Sequence, residues 1–373
     1  MSRLRYSIIK QFDAVAGSAA CSMLGRMASL TGPQYRAVGI SPESIQRILI
    51  IRPGGLGDML MLIPMLNTLF QQLADAKVDI LCEERNAAMA QVINPHGEVI
   101  LYDRTPFRLP SRLRKAHYNL VIDSEQFHNL SAVTALLSGA PLRIGFNIAP
   151  RRNPLYTHPV TYQTDAPEYR QFLNLLAPLA RGSAENPRIE GALTDAGLPP
   201  APQELADIEP HNRIVLHAGA GNRYKQWPHE RFATLIRHLI EHDGKTVVIV
   251  GQQKSDNPLP RKATRGVIDF CGKLDLLQTA AVIRNAALFT GCDTGLAHLA
   301  VALDTPSVTI FGSSDPRKWG HSSTRHIVVS HPMACAPCAI FGYHKPCRNI
   351  QCMQGITVER VLAECQRLLQ TSI

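Results

Sequence analysis

A carboxylate closes the glycine-rich turn in RILIIRPGGLGDMLM, residues 47–61. The apolar run Ile48–Ile51 stops at Arg52-Pro53, and Gly54, Gly55 and Gly57 then lead to Asp58 at the head of a helical stretch. Turns of this type usually offer backbone amides to a phosphate, and the motif then ends in a lysine. Asp58 would repel a phosphate, so this turn serves other chemistry. A second concentration is HAGAGNRYKQWPHERF, residues 217–232. Here Ala218, Gly219, Ala220 and Gly221 let a ligand approach the backbone, and Lys225 stands three residues before Pro228, a residue suited to the first turn of a helix. Amides and an ammonium in that place suit a phosphate, although a surface lysine ahead of a helix has the same appearance. The third is FTGCDTGLAHLA, residues 289–300, where Asp293 and Thr294 follow an apolar strand, Gly295 admits close approach, and His298 lies one helical turn on. These residues form an anion site or, more simply, a capped helix with a core histidine.

Four of the nine cysteines cluster as Cys335-x2-Cys338-x8-Cys347-x4-Cys352, with His331 and His344 nearby. Such a run can hold a structural zinc or an iron–sulfur cluster. A thiol-rich loop without metal is the simpler reading, because the spacing matches no common zinc module. The other five, Cys21, Cys82, Cys271, Cys292 and Cys365, sit among apolar neighbours and read as buried thiols of a reducing compartment.

The elements that carry these residues alternate. Strands are expected at Ile48–Ile51, Val78–Leu81, Val99–Leu101, Leu120–Ile122 and Arg143–Gly145, with helices over Met59–Leu73, Leu130–Leu137 and Glu168–Ala180. The proline-rich stretch Leu198–Asn212 reads as a linker. The pattern then restarts: strand Ile214–His217, helix Pro228–His242, strand Thr246–Val250, helix Leu276–Asn285, strand Ala287–Thr290, helix Leu296–Leu303, strand Ser307–Phe311 and a last helix Val358–Leu369. This predicts an α/β chain of two doubly wound, Rossmann-like parallel sheets. The first domain covers residues 41–205 and the second 206–373, the second holding the cysteine-rich loop 331–352. In such sheets ligands bind beyond the carboxyl ends of the strands, where each motif above falls.

With 45% hydrophobic and 18% charged residues in 373, the composition is that of a soluble globular protein. A net charge of +9 favours anionic partners. Nucleic acid is disfavoured among them, because aromatics are sparse and none interleave with a basic patch. The chain lacks an apolar run long enough for a transmembrane helix. Residues 1–40 begin basic and carry Ile8, Ile9, Phe12, Val15 and Ala16, then Met23, Leu24, Met27 and Leu30, on a helical face. That amphipathic segment either lies on a membrane surface or docks onto the protein body.

RILIIRPGGLGDMLMLIPML, GNRYKQWP and GCDTGLAHLAVALDTPSVTIFG together resemble glycosyltransferase family 9, the family of the ADP-heptose:lipopolysaccharide heptosyltransferases. The resemblance runs from about Arg47 to the C-terminus and takes in CAPCAIFGYHKPCRNIQCMQGI. It implies a GT-B fold, with two Rossmann-like domains facing a central cleft, acceptor on the first and sugar nucleotide on the second. In such folds a C-terminal helix often crosses back to the first domain. It implies transfer of heptose with inversion, without a metal for the chemistry. Asp58 matches the family's general base, with Gly54, Gly55 and Gly57 giving room for the reacting sugars. Lys225 matches a diphosphate-binding lysine, and Asp293, Thr294, Gly295 and His298, with Gly219, fall on the donor side. The implied partners are a nucleoside-diphosphate sugar and a glycolipid acceptor at the cytoplasmic face of the inner membrane.

The chain departs from the family where an acidic residue often follows the strand ending at Val250; here GQQKSDN offers only Asp256. The chemistry fits the resemblance. An inverting transfer needs a base for the acceptor hydroxyl, and a diphosphate leaving group needs cations and amide dipoles. Asp-x-Asp, the usual metal-binding signature, does not occur; Asp123-x-Glu125 is the nearest approach. A nicotinamide-dependent oxidoreductase is the rival enzyme, but GGLGD lacks the third glycine of Gly-x-Gly-x-x-Gly. A non-catalytic sugar-nucleotide or glycan-binding protein on the same fold is the other alternative, and Asp58 with Lys225 argues against it.

Overall fold

The computed structural model describes residues 11–30, 42–104, 108–179, 188–193, 197–253, 265–340, 343–344 and 347–371. The chain divides into two compact units, Met1–Pro187 and Arg188–Ile373.

The first unit is built on a six-stranded parallel sheet of β1 (Arg47–Ile51), β2 (Lys77–Cys82), β3 (Val99–Leu101), β4 (Leu120–Asp123), β5 (Leu142–Asn147) and β6 (His158–Thr161), ordered β3-β2-β1-β4-β5-β6. Its central strands are near-continuous apolar runs because helices cover both faces. Ile48, Leu49 and Ile50 of β1 are fully buried, as are Leu120, Val121 and Ile122 of β4. The single helix expected over Met59–Leu73 is two, Leu56–Met61 and Ile63–Gln72, meeting at Leu62. Pro64, in the first turn of the second, has no amide to continue the ladder.

The N-terminal segment docks on this unit. A π turn at Asp13–Gly17 continues as the helix Ser18–Leu30. Its buried side is made of Asp13, Gly17, Cys21 and Gly25. Asp13 accepts hydrogen bonds from the amides of Asn129 (3.0 Å) and Leu130 (2.7 Å), capping the helix Asn129–Leu137 from outside. Phe12, Val15, Met23 and Met27 lie away from that side and remain exposed.

The second unit repeats the plan with β7 (Arg213–His217), β8 (Thr246–Ile249), β9 (Val267–Asp269), β10 (Leu288–Cys292), β11 (Ser307–Phe311) and β12 (His326–Ser330), ordered β12-β11-β10-β7-β8-β9. Read in chain order, both sheets have the same topology, and every pairing within them is parallel. The proline-rich stretch expected as a linker belongs to this unit. It forms turns at Gln203–Leu205 and Pro210–Asn212, Leu205 is buried, and the Arg213 guanidinium donates to the carbonyls of Leu205 (2.7 Å) and Ile208. The last helix, Val358–Thr371, packs within the second unit. It lies on helix His229–Glu241 and on β10–β12, with Val361, Cys365 and Leu368 sunk in the second core.

Candidate functional site

Both sheets reverse strand order at one place, between β1 and β4 in the first and between β7 and β10 in the second. Open α/β sheets bind ligands at such switch points. Asp58 follows β1; Lys225 follows β7; Asp293, Thr294 and Gly295 follow β10. The sheet topology thus brings each predicted residue to the binding end of its own unit.

In the first unit, Asp58 lies in the first turn of helix Leu56–Met61, whose N-cap is Gly55 with φ 74° and ψ 118°. That backbone folds the Asp58 carboxylate over Gly55. A Cβ on residue 55 would sit 2.2 Å from Asp58 Oδ2, and one on residue 54 would meet the Arg85 guanidinium at 3.1 Å. The glycines make room for two charged side chains.

Arg52 is the residue that motif reading passed over. It leaves the end of β1, is almost wholly buried, and its guanidinium lies 3.9 Å from Asp58 Oδ2. The same guanidinium donates to Glu125 (2.8 Å) and to the carbonyl of Ser124 (2.8 Å), and it stacks on the Phe172 ring. Burial would raise the Glu125 carboxyl, but Arg52, joined by His128, the Phe127 amide and Arg152, outweighs it and the group falls to about 2. Beyond Glu125, Gln126 donates to the buried Glu168, which also accepts from the Tyr162 hydroxyl at 2.5 Å. A fixed cation therefore stands beside the Asp58 carboxylate, held by an acidic, hydrogen-bonded frame.

Asp123 and Glu125, the nearest approach to Asp-x-Asp, are committed elsewhere. Asp123 is fully buried, accepting from Tyr156 (2.7 Å) and Arg152 (3.2 Å), while Glu125 pairs with Arg52.

In the second unit, Gly219 is buried in the loop leaving β7. Lys225 ends a 3-10 turn, Arg223–Lys225, capped by the Asn222 side chain. Pro228 is the N-cap of the helix that follows, His229–Glu241, and it has no amide to donate back into the preceding turn. The turn delivers Lys225 Nζ to Asp293 Oδ2 at 2.6 Å. Asp293 is nearly inaccessible, and its other oxygen lies 3.6 Å from His298 Nε2. Burial alone would raise this carboxyl; the Lys225 ammonium and His298 overcome that and hold it well below the usual range.

Thr294 is the N-cap of helix Gly295–Ala302, yet its hydroxyl makes no capping bond. Its Oγ1 is buried without a hydrogen-bond partner. The capping reading of this residue therefore fails, and a polar atom waits at a helix start whose first amides have no intrahelical acceptor. His298, read from sequence as facing a ligand or as a core residue, is buried and packs edge-to-face on His321, with Nδ1 3.3 Å from His321 Nε2. His321 was not singled out in the sequence; burial and then the His298 charge depress it to about 3, so it stays neutral. Asp256 lies outside the described residues, as do the side chains of residues 340–346 in the cysteine-rich loop. Of the clustered thiols, Cys335 is exposed, Cys338 and Cys347 are partly exposed, and Cys352 is buried.

These arrangements give one unit a carboxylate suited to proton transfer and the other an ammonium, a hydroxyl and helix-start amides suited to a phosphorylated group. The model of Glycosyltransferase family 9 (heptosyltransferase) matches residues 107–349. Lipopolysaccharide heptosyltransferase 1 of Escherichia coli K12 is 26% identical over 313 residues, spanning 77% of this chain and 94% of that protein. Among solved structures, E. coli ADP-heptose LPS heptosyltransferase II superposes with a TM-score of 0.67 at 23% identity, covering 87% of this chain and 99% of the other. The iron-containing dodecameric heptosyltransferase TibC of enterotoxigenic E. coli, solved with ADP-D-beta-D-heptose, gives a TM-score of 0.58 at 18% identity, covering 88% and 77% respectively. The chain belongs to glycosyltransferase family 9, the heptosyltransferases, and is a glycosyltransferase of the GT-B fold.

Proposed function

We propose that the protein transfers heptose from ADP-heptose to a hydroxyl of a lipopolysaccharide-core-type glycolipid, with inversion and without a metal in the chemical step. The observation that carries this reading is the division of labour between the two switch points: Asp58 beside Arg52 at one, Lys225 with Asp293 and the Thr294–Gly295 helix start at the other. The names of the relatives supply the sugar, the nucleotide and the acceptor class.

In the reaction, the acceptor oxygen attacks the anomeric carbon from the face opposite the diphosphate and loses its proton to an Asp58 oxygen. As the new C–O bond forms, the bond from the anomeric carbon to the β-phosphate oxygen breaks, and its electron pair leaves with ADP. Charge developing on that oxygen is met by Lys225, the Thr294 hydroxyl and the amides at Gly295. Arg52 sets a positive charge beside the Asp58 carboxylate; Asp293 holds Lys225 and His298 in place. The test is Asp58→Asn, which should lower kcat by about two to four orders of magnitude while ADP-heptose binding persists. Full activity in that variant would end the assignment.

The acceptor's lipid and the +9 charge support a peripheral position at the cytoplasmic membrane face. So does the exposed stripe of Phe12, Val15, Met23 and Met27. Among the described residues no helix is long and apolar enough to cross a membrane. Cys335, Cys338, Cys347 and Cys352 are proposed to hold a structural zinc or iron–sulfur centre. The buried Cys352 thiol is raised by burial first and then by Cys338, with Cys335 and Cys347 adding to the rise, which supports this reading. Such a centre would pin the loop, and elemental analysis of the purified chain decides it.

A further inference from the structure

Away from both switch points, a buried imidazole faces two carboxylates without bonding to either. His326, on the edge strand β12, is 1% exposed, and its Nε2 is buried with no hydrogen-bond partner. Glu190 Oε1 lies 3.6 Å from that nitrogen and Asp304 Oδ1 3.9 Å. The three donor atoms lie within 4.8 Å of one another. These separations are too long for hydrogen bonds. They lie near the spacing of about 3.0–3.4 Å between donors held ~2.1 Å from one ion.

The surroundings orient all three groups. Ser307 Oγ lies 2.9 Å from His326 Nδ1, so that Nδ1–H donating to the hydroxyl leaves the Nε2 lone pair directed at the carboxylates. Ser323 Oγ donates to Glu190 Oε1 at 3.1 Å, and Arg325 donates to Asp304 Oδ1 at 3.2 Å and to its carbonyl at 2.8 Å. The segment carrying Glu190 is laid against this corner by its backbone: Gly191 N donates to the Val301 carbonyl (3.1 Å) and Leu193 N to that of Ala302 (2.9 Å).

We propose that Glu190, Asp304 and His326 form a binding site for one divalent first-row transition-metal ion. One imidazole and two carboxylates suit manganese or zinc, with water completing the coordination. The ion would clip the first segment of the second unit to the turn between helix Gly295–Ala302 and β11, and it takes no part in sugar transfer.

Manganese(II) is the probe, because the thiols of the cysteine-rich loop select softer ions. The full-length chain, stripped with EDTA, is titrated with Mn²⁺ and the free ion is read by electron paramagnetic resonance. One ion per chain is expected, with pulsed spectra showing coupling to a single histidine nitrogen. Asp304→Asn and Glu190→Gln alter partly exposed carboxylates, so the apo variants fold; each should weaken binding by at least about tenfold. A rise in Tm with Mn²⁺ should accompany binding in the wild type and vanish in both variants. No stoichiometric binding, or binding that both variants leave unchanged, overturns the site.

Discussion

Replacing Gly55 by alanine tests the geometry of the proposed base without touching the base itself. The backbone there has φ 74° and ψ 118°, outside the regions open to an L side chain, which costs roughly 1–3 kcal/mol. The new methyl would also stand 2.2 Å from Asp58 Oδ2. An ordinary carbon–oxygen contact needs about 3.3 Å, so the carboxylate must retreat by about 1 Å. A displacement of that size at a reacting group costs about a hundredfold in rate. Gly244→Ala is the control: its φ is 63°, but a Cβ there meets nothing within 4 Å. Both variants should lose stability in urea unfolding, by roughly 1–3 kcal/mol. In an assay coupled to ADP release, only Gly55→Ala should lose kcat, about a hundredfold, with the donor KM little changed. If the two variants kept equal kcat, the position of the Asp58 carboxylate would be irrelevant to turnover, and the base assignment would fall with it.

Lys225→Ala should weaken ADP binding by about one to two orders of magnitude, the worth of a charge-assisted bond, as read by titration calorimetry. It should also lower Tm, because Asp293 is left buried without the ammonium 2.6 Å away; unchanged affinity would remove the lysine from the donor site. Asp13 and His128, 3.5 Å apart, make docking of the N-terminal helix depend on pH. Burial alone would raise Asp13, but His128 and the amides of Leu130 and Asn129 bring it below 3.8; burial alone would lower His128, but Asp13 brings it above 6.5. The aspartate's contribution is therefore present above its unfolded value and lost as pH falls through the depressed one. The histidine's is present below its unfolded value and lost as pH rises through the elevated one. Asp13→Ala should flatten that dependence between pH 4 and 8, measured as the urea midpoint, and an unaltered profile would refute the coupling. Replacing Phe12, Val15, Met23 and Met27 together by serine should abolish sedimentation with anionic liposomes while leaving Tm unchanged; retained sedimentation would place membrane contact elsewhere.

The central strands were legible because they are buried on both faces, so their runs are almost wholly apolar. β1 and β7 show this in RILII and RIVLH. The strands that escaped the sequence, β6, β9 and β12, are all sheet edges and are incompletely buried. HPVT and VID carry too little apolar pattern to stand out, since one side of an edge strand has no neighbour to exclude water. The same reasoning explains the last helix. Its amphipathic face was plain from VERVLAECQRLL, but the choice of core to cover is a tertiary fact that periodicity does not contain.

The site divides along a similar line. Asp58, Lys225 and Asp293 could be found because each stands within a few residues of a strand end, where local sequence dictates position. Arg52 stands there too, and it was read only as the end of a strand. What sets it at the candidate site is Glu125, 73 residues away in sequence, which anchors the guanidinium beside Asp58. A cation next to a base is costly to bury unless such partners meet it, so the supporting acids must come from whatever strands the sheet brings alongside. Parallel pairing of β1 with β4 is what brings them, setting Ile51 opposite Asp123. The proposed base can therefore be read from one motif, whereas the charge beside it becomes legible only once the strand order is known.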